Sequence, residues 1–206
     1  MRYRDLLAKT KDTILIKSTD LALMTDNLPY LRRQLSEWTK KEYLIKLKKG
    51  FYIPNDSDLI KQIPIFFLSN QLYQPSYISL ESALSWYGLI PEKSQTTTAI
   101  STKKTTQFQT PIGNFYYHSI KSSGFLGYVQ ITIKNYKVLI AEPEKALLDL
   151  IYLKAPRVDD QFLAWFDQLR LDSSQGFDWT KLNKYANHFG SSQIKQLLSR
   201  LEDQYA

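Results

Sequence analysis

The chain has 206 residues, of which 43% are hydrophobic and 14% aromatic, so it can bury a large core, and its lack of cysteine excludes disulfides and thiol chemistry. The formal charge of +7 is concentrated before residue 157 and favours an acidic partner such as nucleic acid. No apolar run approaches the roughly 20 residues that span a bilayer, so we expect a cytoplasmic protein with no membrane partner.

Residues 1–57 are predicted to form helices followed by a β-hairpin. Pro29 suits the first turn of a helix, and after Lys41 the hydrophobic pattern changes from helical spacing to that of short strands. In chain order, the predicted elements are a helix over 2–9, a strand over 13–17, a helix over 20–24 capped by Ser18 or Thr19, a helix over 29–41, and strands over 43–47 and 51–53. This is the order of elements in a winged helix-turn-helix.

The helix over 29–41 combines an apolar stripe with a basic outer face. Arg is suited to guanine edges, Gln to adenine edges and Lys to phosphates. The apolar stripe, at helical spacing, consists of Leu28, Leu31, Leu35 and Trp38. The residues on or beside the outer face that we predict to bind DNA are Tyr30, Arg32, Arg33, Gln34, Glu37, Lys40 and Lys41. The same face would also suit a helix that is merely solvated.

The predicted hairpin carries Lys46, Lys48 and Lys49 near its tip. A wing that follows the DNA backbone needs positive charge at this position, so we predict that these lysines contact phosphates. Charge runs of this kind are common on solvated surfaces. It is the ordered combination with the helix over 29–41 that favours DNA binding, and the structural alternative is a winged helix used for protein contact.

Residues 58–206 are predicted to form a second, mixed domain, which makes the chain an α+β protein. Pro54 to Asp58 is a plausible linker, and the Thr-, Ser- and Gln-rich stretch over 94–110 favours exposed strands. The other predicted elements are a helix over 60–73 interrupted at Pro64, a helix over 80–87 that begins at Ser79, strands over 115–117, 128–133 and 138–140, a helix over 143–153 capped by Glu142, and three amphipathic helices after residue 157.

No enzymatic chemistry is indicated. The two histidines, His118 and His188, are far apart in sequence, and a zinc site would need further ligands. The chain has no phosphate-binding glycine loop, no dinucleotide-binding motif and no nucleophile elbow. Glu142 and Glu144 flank Pro143, a spacing typical of a helix start rather than of paired catalytic carboxylates. We therefore expect no catalytic residue, metal or cofactor.

Two long segments of the second region resemble a known family. The segment Pro75 to Pro91 (PSYISLESALSWYGLIP) and the segment Ile140 to Asp149 (IAEPEKALLD) are similar to recurrent sequences of AbiEi-type antitoxins, which belong to type IV toxin–antitoxin (abortive infection) systems. The segment 115–118 (FYYH) matches a further one, and residues 18–52 resemble the winged-helix head of that family. The likeness covers residues 1–155 and gives no motif after them.

The resemblance implies a repressor that binds operator repeats of its own operon through the winged helix. It also implies that the second domain counteracts a cognate nucleotidyltransferase-like toxin, directly or indirectly, and that the protein is a monomer or a DNA-induced oligomer. The residues of the two segments that we predict to contact a partner are Tyr77, Ser79, Glu81, Glu144 and Lys145. The same residues have a local interpretation, as a capping arrangement at one helix start and a surface Lys145–Asp149 pair on the other helix.

Two other functions remain open. The chain could be a transcription regulator whose second domain senses a ligand or only oligomerises, since the aromatic-rich middle of the sequence would line a pocket. It could also be a protein-binding module with no DNA role. A neighbouring gene that encodes a nucleotidyltransferase-like protein favours the antitoxin, and binding to the upstream intergenic duplex excludes the protein-binding module.

Overall fold

The computed structural model describes residues 3–9, 14–91, 95–154, 160–171 and 177–205. Helices and strands both contribute large shares of the fold, as predicted for an α+β protein. Strands fall into two separate sheets, one of three strands and one of six. Helices precede, connect and follow these sheets.

The N-terminal elements surround the three-stranded sheet. In chain order they are α1 (Tyr3–Lys9), β1 (Ile16–Lys17), α2 (Ser18–Ala22), α3 (Leu28–Lys40), β2 (Leu44–Lys48) and β3 (Phe51–Pro54). Strand β3 lies between β1 and β2 and pairs antiparallel with both. The two-residue strand β1 therefore joins the hairpin to the helices that flank it.

Helix α3 is capped at its N-terminus by Asn27. The Asn27 side chain accepts a hydrogen bond from the Tyr30 amide at 2.9 Å, which satisfies one of the free N–H groups of the first turn. Leu31, Leu35 and Trp38 are buried as predicted. Leu28 is 42% exposed, contrary to the prediction, and it is the first residue of α3, at the end of the apolar stripe.

Helix α2 starts two residues earlier than the sequence suggested. The Ser18 amide donates to the carbonyl of Gly50 at 2.8 Å, so the sheet and not a side-chain cap fixes the start of this helix. Gly50 has a φ of +83°, and a Cβ there would come within 2.9 Å of the Ser18 hydroxyl oxygen. The hairpin turn thus needs glycine both for its backbone conformation and for this contact.

The second region is built on a mixed six-stranded sheet. Its elements are α4 (Ser57–Gln62), α5 (Ile65–Leu72), β4 (Ser76–Ile78), α6 (Leu80–Trp86), β5 (Thr96–Ser101), β6 (Thr106–Thr110), β7 (Gly113–Ser119), β8 (Tyr128–Ile133), β9 (Tyr136–Ala141) and α7 (Pro143–Lys154). The strand order is β6-β7-β5-β4-β9-β8. Only the β5–β7 and β4–β9 pairs are parallel. Pro64 divides the predicted helix over 60–73 into α4 and α5, and Asp56 in the predicted linker caps α4.

Strand β5 is central and buried, so the prediction of exposed strands over 94–110 was wrong for this part. Its threonines lie in the interior because their hydroxyl and backbone groups have partners. The Thr98 hydroxyl donates to the Ser79 carbonyl at 2.8 Å, and the Thr98 amide donates to the Ser82 hydroxyl at 2.8 Å. Burying a polar residue costs little free energy when the residue is hydrogen-bonded. The polar composition of this segment therefore did not indicate whether its residues are exposed.

Three helices form the C-terminal part of the described chain, as the apolar spacing predicted. They are α8 (Asp160–Gln168), α9 (Trp179–Asn187) and α10 (Ser192–Tyr205). The residues of the α10 stripe are 0–1% exposed: Ile194, Leu197, Leu198 and Leu201. In α8, Phe162 and Phe166 are buried in the same core.

The buried apolar residues form two clusters. The smaller one lies within the N-terminal region and includes Leu31, Leu35 and Trp38 of α3. The larger one contains the six-stranded sheet with α5 to α10, and three N-terminal residues also belong to it: Leu15, Leu47 and Ile53. The hairpin therefore packs on both clusters. The predicted domain boundary at residue 57 stays a prediction, and in the structure this residue is the first of α4.

Candidate nucleic-acid interface

The outer face of α3 carries the predicted basic residues at the surface. Arg32, Arg33 and Lys40 are all exposed, and Lys41 is exposed just after the helix ends. Within the described part of the chain, Arg32 forms no ion pair. The buried side of the same helix fixes this orientation, because the stripe that begins at Leu31 packs inward. The arginines are therefore available to a partner that approaches α3 from solvent.

Two contacts within α3 organise this face further. The Nε of Arg33 lies 2.9 Å from Oε1 of Glu37, and the two side chains are 79% and 50% exposed. The half-buried side chain of Gln34 donates to the Tyr30 hydroxyl at 3.2 Å. Both contacts join residues one helical turn apart, so they preorganise the face without removing it from solvent. Glu37 is a predicted contact residue, and here it holds Arg33 along the helix.

The three lysines of the β2–β3 hairpin differ in their exposure to solvent. Lys46 and Lys49 are exposed, whereas Lys48 is half-buried. The Lys48 ammonium donates to the backbone carbonyl of Leu72 in α5 and lies 4.3 Å from the ring centroid of Phe51. Burial, followed by nearby lysines, lowers the pKa of Lys48. The prediction that Lys48 contacts phosphate is therefore corrected, because its ammonium faces the second region of the protein.

Apolar side chains add to the surface beside α3, and sequence reasoning missed them. Leu23 and Met24, between α2 and α3, are 90% and 53% exposed. The prediction placed them at the end of a helix, but α2 ends at Ala22 and leaves both outside it. Apolar groups near a basic face can contact thymine methyl groups in the major groove. No periodicity in a segment this short distinguishes such residues from core residues.

The predicted partner-binding residues of the second region are mostly interior. Tyr77, Ser79 and Lys145 have no exposed surface, and Glu144 is only 8% exposed. Glu81 is half-buried. In this conformation, four of the five are not available as contact residues, which corrects the prediction. The reason is that α7 packs mainly against α6 and α9 with residues 144–151 all buried, and that Tyr77 lies in the interior strand β4.

Three of these residues form a buried polar network with Asp149. The Asp149 carboxylate accepts from the Ser79 hydroxyl at 2.7 Å and from the Tyr77 hydroxyl at 3.0 Å. The Lys145 ammonium pairs with the same carboxylate and donates to the Tyr77 hydroxyl at 2.9 Å. The Lys145–Asp149 pair, which was predicted to lie on the surface, is thus buried in the core. Burial raises the pKa of Asp149 and lowers that of Lys145, while the contact between them opposes both changes.

A second cluster joins the start of α7 to α9. The Lys181 ammonium lies 2.9 Å from Oε1 of Glu142 and 3.2 Å from Oε2 of Glu144, and Tyr185 donates to Glu142. Burial alone would raise the pKa of Glu142, but these donors hold it below its usual value. Burial and Glu142 together raise the pKa of Tyr185 to about 12. The Glu142 side chain therefore links two helices and does not cap α7 as predicted.

The histidines and carboxylates form no metal site in the described ranges. No group of three or more His, Cys, Asp or Glu side chains lies close enough there to hold a metal ion. His118 is half-buried in β7, where burial and then Lys154 lower its pKa, and it packs against Tyr116. Across those ranges, no helix is at once long and apolar enough to cross a membrane.

No family model matches the chain, and no curated protein is significantly similar to it. The functional conclusion therefore depends on the geometry and chemistry of the residues described above.

Proposed function

We propose that the chain is a DNA-binding transcriptional repressor, with residues 1–57 forming a winged helix-turn-helix. The element order α1-β1-α2-α3-β2-β3, with β3 paired between β1 and β2, supports this interpretation. In such a domain the second helix of the pair enters the major groove and the hairpin approaches the backbone. Helix α3 takes the first role, and the β2–β3 hairpin takes the second.

The observation that carries the proposal is the orientation of α3. Its 13 residues bury Leu31, Leu35 and Trp38 and leave Arg32, Arg33 and Lys40 exposed. A recognition helix needs this division, because one side must be held by the domain while the other reaches base edges. Exposed Lys46 and Lys49 on the hairpin provide further positive charge for phosphates.

The test is direct binding of the full chain to DNA. Fluorescence polarisation with a labelled duplex from the intergenic region upstream of its own gene is compared with a shuffled duplex of the same composition. We expect at least about a tenfold preference for the upstream duplex at physiological salt. Equal, weak binding to both duplexes would contradict a repressor, and absence of binding to either would leave the N-terminal region as a protein-contact module.

For the second region we propose an antitoxin role in a type IV toxin–antitoxin system, with the protein autoregulating its operon. Support comes from the similarity of the segments 75–91 and 140–149 to AbiEi-type antitoxins. Most of the residues singled out in these segments hold the core, so the contact with a nucleotidyltransferase-like toxin would lie elsewhere or be indirect. Co-expression with a toxin gene adjacent to its own should restore growth, and failure to do so counts against this role.

A second candidate keeps the repressor and replaces the antitoxin role by ligand sensing. It is favoured by one observation, an open cleft of about 490 Å³ beside α5, a size typical of small-molecule sites. The adjacent gene separates the two functions. An adjacent nucleotidyltransferase-like toxin that the protein neutralises supports the antitoxin, whereas its absence together with ligand-dependent DNA binding supports the sensor.

A further inference from the structure

The cleft lies between the end of α5 and the two strands at one edge of the six-stranded sheet. Gln71 comes from α5 and Ser76 from the start of β4, while Tyr128 and Lys137 come from β8 and β9. Its volume of about 490 Å³ is within the range that holds a drug-sized ligand.

One buried hydroxyl in the wall of the cleft has no protein partner. Ser76 is 3% exposed, and no atom of the described residues forms a hydrogen bond with its side-chain oxygen. Buried polar groups in folded proteins nearly always have a partner, and an exception calls for an explanation. Because this oxygen is inaccessible even when the cleft is empty, a hydrogen-bonding group of a ligand provides that partner only when the Ser76 side chain rotates toward the cleft.

The charge of the lining favours an anion. Lys137 is exposed at the cleft and forms no ion pair within the described part of the chain. No aspartate or glutamate lines the cavity, whose other polar side chains are the uncharged Ser76, Tyr128 and amides such as Gln74 and Gln130. Amide groups can both donate and accept, so they suit the polar edge of a ligand whose charged end meets the lysine.

Two aromatic rings, together with Pro75 and Leu139, form the apolar part of the wall. The ring centroids of Phe125 and Tyr128 are 5.3 Å apart. Tyr128 in turn stacks on the buried ring of Tyr77, with centroids 4.8 Å apart and an interplanar angle of 16°. This stack fixes the orientation of Tyr128. Fixed aromatic faces favour a planar ring as the ligand partner.

We propose that this cleft is a binding site for a planar heteroaromatic ring that carries an anionic group, the chemistry of a nucleoside monophosphate. The ring packs against Phe125 and Tyr128, its polar edge meets the amides and the Ser76 hydroxyl, and the phosphate pairs with Lys137. The site is separate from the exposed face of α3, and binding to it does not depend on the proposed DNA-binding function.

The cleft also touches the N-terminal region. The side-chain oxygen of Gln71 accepts hydrogen bonds from Lys17 at 3.2 Å and from Gln74 at 3.5 Å. Lys17 is the residue directly before α2. Only the Lys17 side chain therefore separates a ligand that contacts Gln71 from the start of α2, the helix that precedes α3.

Isothermal titration calorimetry of the full chain tests the site, with AMP, GMP, CMP and UMP as probes. We expect at least one of them to bind with a dissociation constant below about 1 mM. Adenosine and inorganic phosphate, each of which carries only part of the chemistry, are expected to bind at least about tenfold more weakly than that nucleotide. If no monophosphate binds, the proposal is overturned.

Variants locate the bound nucleotide. Lys137→Gln is expected to weaken binding about tenfold, since it removes the only cation of the cleft lining, and the matched control Lys195→Gln on α10 is expected to leave binding unchanged. Ser76→Ala should weaken it less, about threefold, without lowering the thermal unfolding midpoint, because the hydroxyl makes no protein hydrogen bond. Wild-type affinity in both cleft variants, or loss of binding in Arg32→Ala alone, would overturn the assignment.

Discussion

Two ion pairs with the same spacing have opposite environments in the two regions of the molecule. On α3, Arg33 and Glu37 are paired one helical turn apart and are 79% and 50% exposed. On α7, Lys145 and Asp149 have the same four-residue spacing and are both 0% exposed. The first pair lies on a surface that a partner can reach, whereas the second lies in the interior. Spacing along a helix thus indicates which residues can pair, and tertiary packing decides what the pair does.

The largest expected effect comes from breaking the buried pair. Lys145→Met leaves the Asp149 carboxylate without its cation in the interior, and we expect the free energy of unfolding to fall by about 3–5 kcal/mol. Urea denaturation measures it. The double variant Lys145→Met/Asp149→Leu should recover only part of the loss, because no unpaired charge remains but the buried hydroxyls of Tyr77 and Ser79 lose their acceptor. A loss below about 1 kcal/mol in the single variant would mean that the pair behaves like a surface pair.

On the exposed side, Arg32→Ala is expected to weaken binding to the upstream duplex by about 1–3 kcal/mol, since a good base contact by arginine has that value. The unfolding midpoint should not change, because Arg32 is exposed. Fluorescence polarisation gives the affinity. The matched control is Arg200→Ala on α10, also an exposed arginine, which should bind as the wild type does. Equal losses in both variants would show a general charge effect and not a contact of α3.

The exposed Arg33–Glu37 pair can also be tested by changing Glu37. Glu37→Gln removes a negative charge from the α3 face and releases the Arg33 guanidinium, so we expect affinity for DNA to rise about two- to fivefold. Stability should change by less than about 0.5 kcal/mol. Competition polarisation against the wild type resolves a change of this size. Weaker binding would instead mean that Glu37 itself accepts a hydrogen bond from a base.

The smallest effect concerns the cluster of Glu142, Lys181 and Tyr185. Because these contacts lower the pKa of Glu142 in the folded protein, its contribution to stability is present above its unfolded pKa. The contribution is lost as pH falls through the lowered folded value. Glu142→Gln should therefore reduce the unfolding free energy at pH 7 and leave it unchanged at the acid end of the titration. Urea midpoints across pH measure this, and a pH-independent difference would contradict it.

The sequence predicted α3 within one residue at each end, because its apolar spacing, Pro29 and the turn before it are local signals. It did not predict the directions of Lys48 and Lys145. Lys48 meets a carbonyl 24 residues away, and Lys145 meets a tyrosine hydroxyl 68 residues away. Partners so distant in sequence depend on the packing of the sheet, which no local pattern contains. The position of the cleft was not predicted for the same reason, although the aromatic-rich middle of the sequence suggested that a pocket exists.

The central claim is that the exposed cations of the hairpin and α3 meet a DNA backbone, and the salt dependence of duplex binding tests it most directly. Each phosphate contact contributes a slope of about −0.9 to log K against log salt concentration. We expect Lys46→Gln/Lys49→Gln to make the slope shallower by about 2, and Lys48→Gln, whose ammonium faces Leu72, to leave it at the wild-type value. Equal slopes for the double variant and the wild type would contradict the claim.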